Sequence, residues 1–499
     1  MAREIGVGVI EETIQIHDKN QFEIKLGYHF AGEEKAKVYD VETYLFFPNN
    51  LGINRYTYTR KKFYNDTQVY VRLKTPELLL QNMVSGKNSP LEKLRKAIEA
   101  LLVNGDDKSF ENYEYHLKMF CCIFKSAIRE HISFISQKEH NRDVKDLMEK
   151  YLMGMETITC GFRNLRFLLN FPSRNKNIFS IFLFGDEYLS LLIESYTYEL
   201  LKKIKPLDFP KKKELTSKFF RLIRKELNYR KENDYPSIPY VDSTNEVFLF
   251  RSSVLKKFMG NILFLQTQFK HEGEFLEQIT FALAAGIAMT FATAAAFFAQ
   301  STYSTVSMPL FFVLVVSYMF KDRIKEVIRI YLGTKLKSRL FDHKRKFYFN
   351  AREILGWCKE SFTFLKADKI PDTIVKLRAR DHITEIENDW VGEKIILYRK
   401  QVKLFNHRFR SVYHDYPSDC IVDIMRLNIS RFLSKMDNPE KPIYVGDQKS
   451  CRKIYGNRVY HINMIMKYSE SRQVRYRRFR LVLCQNGIKR IEKVIIETE

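Results

Sequence analysis

"FALAAGIAMTFATAAAFFAQ", residues 281–300, carries no charged side chain in a chain of 499 residues with formal net charge +24. A second apolar run, "MPLFFVLVVSYMF" (308–320), follows a short polar break, and charge returns at once with "KDRIKE". Whether this pair fills a soluble core or enters lipid decides the fold class. A helix needs about 20 residues to cross a hydrocarbon core of roughly 30 Å, and Ile279–Ala299 supplies 21. The second run reaches that length only by starting near Thr302 and letting Lys321 and Arg323 snorkel. Pro309 falls near the start of that helix, where its missing N–H costs least. The connector "QSTYSTVS" has no Lys or Arg, whereas residues 321–346 hold ten. By the positive-inside rule this predicts a two-helix transmembrane hairpin over 276–320, a multi-pass membrane protein with both termini cytosolic. The opposing reading is an Ala-rich hairpin buried in a soluble core.

Within the first run Ala284, Ala288, Ala292 and Ala296 recur every four residues. Such a small-residue ridge lets helix backbones approach closely in lipid. It serves either the second helix of the same chain or a second copy, so a homo-oligomer is one expectation. After the hairpin, Ile324, Val327, Ile328, Tyr331 and Leu332 share one side of a helix, with Lys321, Lys325, Arg329 and Lys335 around them. This basic juxtamembrane helix, over 321–350, suits an anionic interface or the solvated side of a domain helix.

The remainder divides by periodicity. Residues 1–75 read as an antiparallel, half-buried sheet: in "FEIKLGYHF" Phe22, Ile24, Leu26, Tyr28 and Phe30 alternate with polar residues. Tyr39, Val41, Leu45 and Phe47 share a face, as do Val69, Val71 and Leu73. Residues 76–275 change to a helical period and form a cytosolic helical domain. Its clearest stripe runs Val144, Leu147, Met148, Tyr151, Leu152, Met155, Ile158, Thr159, Phe162, Leu165, Leu169. Residues 351–499 read as a basic C-terminal α+β domain ending in strands, the last two joined at Gln485-Asn486-Gly487. The fold class is therefore an α+β membrane protein.

Charge is uneven, +6 over residues 1–278 and +18 over 321–499. In "RQVRYRRFR" a single bulge at Arg477-Arg478 would turn Arg475, Arg477, Arg478 and Arg480 outward together. Such a row binds phosphate, on anionic membrane lipid or nucleic acid, or pairs with acids of the N-terminal region.

The motifs of known chemistry are missing. No phosphate-binding loop, nucleophile elbow, zinc-protease helix or kinase catalytic loop occurs. Gly6-Val7-Gly8 lacks the third glycine of a dinucleotide fingerprint, and His17-Asp18 and His414-Asp415 read as surface pairs. Asp381, Glu385 and Asp389 would share a helix face, a hard-metal arrangement or a solvated acidic side. Seven cysteines, with no C-x-x-C, fit a reducing compartment rather than disulfides or zinc. No metal and no cofactor are expected, the catalytic residues are unassigned, and no secretory signal is expected in "MAREIGVGVIEETIQ". The function expected is a membrane-anchored, cytosol-facing sensor, scaffold or effector without catalysis. The alternatives are a membrane-tethered metal-dependent enzyme acting on a phosphate-bearing substrate, and a soluble nucleic-acid-binding protein.

Overall fold

Strict alternation writes the first strands, and their neighbours come from far along the chain. The computed structural model describes all residues except 1–9, 31–33, 87, 138–140, 170–175, 208, 210, 273, 303–306, 340, 350–352, 379–392, 414, 448–449, 471–472 and 497–499. Two units divide it. The first comprises Met1–Arg72, Leu265–His414 and Asp419–Glu499; the second, Leu73–Phe264 with Asp415–Ser418.

The first unit is built on β1 (Glu11–Asp18), β2 (Gln21–His29), β3 (Lys37–Pro48) and, after helix α1 (Arg60–Asp66), β4 (Thr67–Leu73). It continues with β5 (Gln266–His271), β6 (His343–Phe349), β7 (Glu353–Leu365), β8 (Glu393–Leu404) and β9 (Cys420–Asn428). The last strands are β10 (Glu440–Asp447), β11 (Ser450–Asn457), β12 (Tyr460–Glu470), β13 (Gln473–Cys484) and β14 (Gly487–Val494). One sheet has the order β1-β2-β9-β4, a second β14-β13-β12-β3-β8-β7-β6-β5, and β10-β11 form a separate ribbon.

The two larger sheets pack face to face. Tyr28 of β2 and Tyr39 of β3, both fully buried, bring their rings to 5.3 Å. The apolar residues that the alternation put on one face of β2 and β3 are buried, as expected for one inward side. The β13–β14 turn needs its glycine: Gly487 has φ +134°, and a Cβ there would lie 2.5 Å from the Lys19 carbonyl oxygen.

The second unit is helical: α2 (Pro90–Asn104), α3 (Asp107–Gln137), α4 (Asn141–Asn164), α5 (Arg166–Leu169), α6 (Lys176–Ile204), α7 (Lys212–Glu232) and α8 (Glu246–Gly260). Local signals set its boundaries. Ser89 Oγ accepts from Glu92 N at 3.3 Å with Pro90 in the first turn, and Gly105 ends α2 at φ 68°. The long stripe read from the sequence is the buried side of α4: Met148, Tyr151, Met155 and Phe162 are fully enclosed.

Between β5 and β6 lie α9 (Glu274–Thr302) and α10 (Met308–Arg339). The second apolar run and the basic helix expected after it are one continuous helix. Two membrane-crossing helices are not what is seen. Among the described residues one helix is long and apolar enough to cross a membrane, Gln278–Thr302 with mean hydropathy 1.9. The physical reason lies in α10, whose charge-free part is Met308–Phe320 before Lys321 and Asp322 begin. At 1.5 Å per residue that stretch is about 20 Å long, against roughly 30 Å of hydrocarbon.

Candidate membrane-facing site

The hairpin is clamped at its base by the sheet that carries it. β5 and β6 are antiparallel neighbours with His271 opposite His343, so α9 departs and α10 returns at one place on the sheet edge. Glu272 N donates to the Asp342 carbonyl at 3.2 Å, and Asp342 N to the Glu360 carbonyl at 2.7 Å. The Asp342 carboxylate takes Arg60 Nη1 at 2.8 Å, the Tyr64 hydroxyl at 3.0 Å and Phe362 N at 2.9 Å. Burial raises its pKa, and these donors, with Arg60, pull against that shift.

The two helices meet along small residues. Ala284, Ala288 and Ala299 are almost wholly buried, Ala292 and Ala296 half-buried. On α10 the facing Ser317 is buried, and its Oγ donates to the Ala292 carbonyl at 3.5 Å. Arg329 stacks its guanidinium over the Phe281 ring at 4.9 Å. These two contacts fix an antiparallel register that sets Lys321, Arg323 and Lys325 beside the first half of α9. Lys321 Nζ lies 3.7 Å from the Tyr318 ring centroid, reaching toward the apolar end, because helical side chains tilt toward the N-terminus.

Away from this seam, α9 and the first part of α10, Met308–Phe320, turn large apolar side chains outward, whereas α10 from Lys321 onward is charged. Phe297 and Phe298 are 69% and 75% exposed, Phe311 and Phe312 59% and 62%. Only 11% of the α9 window is buried, which is not the state of a helix filling a soluble core.

The arginines of β13 do not form one row. The β12–β13 ladder runs without irregularity from Tyr460↔Leu483 to Glu470↔Gln473, so the expected bulge at Arg477-Arg478 is absent. Alternation then places Arg475 and Arg477 on one face, Arg478 and Arg480 on the other. Arg477 Nε donates to Glu12 at 2.9 Å, and Arg480 lies 3.8 Å from Glu492. Arg478 is buried and Arg475 exposed. Asp381, Glu385 and Asp389, His414, and Gly6-Val7-Gly8 lie outside the described residues. Among the described residues no three His, Cys, Asp or Glu could hold a metal ion together.

Two buried ionic groups escaped the sequence reading, because their members come from separate segments. In the first unit Lys400 Nζ lies 2.6 Å from Asp423 and 3.4 Å from Glu360, which Arg345 approaches at 3.3 Å. Burial alone would raise the Glu360 pKa and depress that of Lys400; their opposite charges reverse both, lowering Glu360 and raising Lys400. In the second unit Asp186 is wholly buried and receives Arg163 Nε at 3.1 Å and the hydroxyls of Tyr229 and Tyr235 at 2.6 and 2.9 Å. Arg163 also forks onto Glu226, and Arg230 pairs with Glu194. In "FGDEYLSLLIE" the acids fall at Asp186, Glu187 and Glu194 among apolar residues of α6, the one signal of this seam visible in the sequence.

No family model, no curated protein and no solved structure matches this chain.

Proposed function

We propose that this chain is a membrane-anchored protein, held on a bilayer by the α9–α10 hairpin, and that its sheets and helical bundle act as a scaffold, sensor or effector. The observation that carries this reading is the outward apolar surface of the hairpin, with Ile287, Met289, Phe291, Phe297, Phe298, Phe311, Phe312 and Phe320 all exposed. Fully burying a large apolar side chain returns about 1.5–3 kcal/mol, so these eight, each half to three-quarters exposed, forgo together on the order of 10 kcal/mol that lipid would return. The basic residues from Lys321 onward, against none in Gln300–Ser307, favour the cytosolic side for both ends of the hairpin. In the two-pass form α10 is about 10 Å short of the hydrocarbon thickness, a mismatch met by tilt or local thinning. A non-catalytic role is supported by the buried acids: Asp186, Glu187, Glu194, Glu226, Glu360 and Asp423 each sit against an arginine or lysine.

The test is flotation of the full-length protein with phosphatidylcholine vesicles, followed by a carbonate wash. Retention through the wash is expected, because apolar insertion does not depend on charge. Loss of retention in Phe291→Glu/Phe298→Glu assigns it to α9. Recovery of the parent protein in the soluble fraction would overturn the reading.

A further inference from the structure

The register of the hairpin sets the length of its apolar belt. Ser317 Oγ donates to the Ala292 carbonyl and Arg329 stacks over Phe281, which puts Lys321 level with Ala288. From that level to the connector neither helix carries a charge, over Met289–Thr302 on α9 and Met308–Phe320 on α10. At 1.5 Å per residue the two stretches are about 21 and 20 Å long. Toward the sheet α10 presents Asp322, Arg323, Lys325 and Glu326, all exposed.

Polar groups close the belt at both ends. At the connector end Gln300, Ser301 and Thr302 are exposed, and the chain reverses between Thr302 and Met308. A reversal facing lipid leaves backbone N–H and C=O groups without partners at hydrocarbon depth, so its favoured place is the far headgroup layer. At the other end the basic residues would lengthen the belt only by reaching back toward the sheet. Helical side chains lean toward the helix N-terminus, which for α10 is the connector end. Lys321 leans that way, with Nζ 3.7 Å from the Tyr318 ring centroid. On α9 the apolar side chains continue through Ile287, Leu283 and Ile279, but α10 sets the limit. Gaining about 10 Å would draw Lys321, Asp322, Arg323, Lys325 and Glu326 into hydrocarbon.

We propose that the hairpin selects thin bilayers, and that the lipid it takes up best is a phospholipid with short acyl chains, whose hydrocarbon core approaches the belt of about 20 Å. This rests on the membrane reading above and adds the chain length of the lipid to it.

The experiment reconstitutes the full-length protein from detergent, so that ease of entry does not decide the result. The vesicles are phosphatidylcholine with monounsaturated chains of fourteen, eighteen or twenty-two carbons, and protein resistant to a carbonate wash is measured. Retention should be highest with fourteen carbons and fall about tenfold or more by twenty-two. Lys321→Leu/Asp322→Leu/Arg323→Leu/Lys325→Leu lengthens the charge-free run to about 27 Å and should move the maximum to eighteen carbons. Tyr318→Lys/Phe320→Lys shortens it and should steepen the fall, an independent arm if the longer variant does not fold. Equal retention at all three lengths overturns the proposal, since a hairpin resting in one leaflet is indifferent to thickness. A maximum at eighteen or twenty-two carbons for the parent, or folded variants with the parent's profile, also overturns it. A parent retained by none of the vesicles removes the membrane reading itself, and this proposal with it.

Discussion

Lys400 and Asp423 meet at 2.6 Å across the two facing sheets, each side chain 3% exposed. Glu360, also buried, shares the same ammonium at 3.4 Å. Removing the lysine alone leaves two carboxylates in a dry interior. Lys400→Met should therefore cost about 3–5 kcal/mol, while Lys400→Met/Asp423→Leu should recover a large part of it. Urea denaturation of the two single variants and the double variant measures the coupling; additive losses would show that the pair is not coupled.

Acid should weaken the smaller sheet through Glu23. Burial would raise its pKa, but Lys25 at 2.8 Å and Arg426 at 2.7 Å hold it down to about 2 from an ordinary 4.5. The folded value is the lower one, so the carboxylate contributes its stability above the unfolded pKa. That contribution is lost as pH falls from about 4.5 through 2. Glu23→Gln should flatten this part of the Tm–pH curve and lower Tm near neutrality. A parallel acid limb in the variant would place the pH dependence elsewhere.

The register of the hairpin predicts a cross-link. Ala292→Cys/Ser317→Cys, placed at the observed 3.5 Å contact, should oxidise within one chain. Ala292→Cys/Met308→Cys should not, since those positions lie more than two helical turns apart in that register. If Ala292→Cys/Ser317→Cys instead gives dimers on a non-reducing gel, the small-residue ridge joins two copies.

Crowding the ridge tests what it holds together. Ala288 is 1% exposed in the α9–α10 seam, so Ala288→Leu should splay the helices and slow the 292–317 cross-link several-fold. Vesicle flotation should persist, because leucine is at least as lipophilic as alanine. A normal cross-linking rate would mean that the seam has room at this position.

Periodicity carried the sequence reading where neighbours are local. The buried side of α4 and the inward residues of β2 follow from spacing alone, and the two helices of the hairpin from their charge-free runs. The arginines of β13 show where it stops. Arg477 and Arg478 break the alternation of apolar residues, and a bulge was the economical repair. The strand instead keeps its register and buries Arg478, a solution that depends on neighbours the local sequence does not show. The second apolar run reaches spanning length only when counted from Thr302, and α10 begins at Met308.

The placement of β3 sets a clock on synthesis. It pairs on one side with β8 and on the other with β12, so Tyr39 waits for Val402 and then for Glu470. At roughly 5–20 residues per second, about 20–70 seconds pass between translation of β3 and of its first neighbour. During that interval the helical bundle, whose contacts are nearer in sequence, has time to assemble. The apolar helix α9 also leaves the ribosome before either neighbour of β3 exists. Under the membrane anchoring proposed above, a nascent chain would meet lipid while its first strands still have open edges, and the large sheet would close last. A truncation before β12 should leave β3 with an open edge, and such chains should aggregate rather than accumulate as a folded fragment.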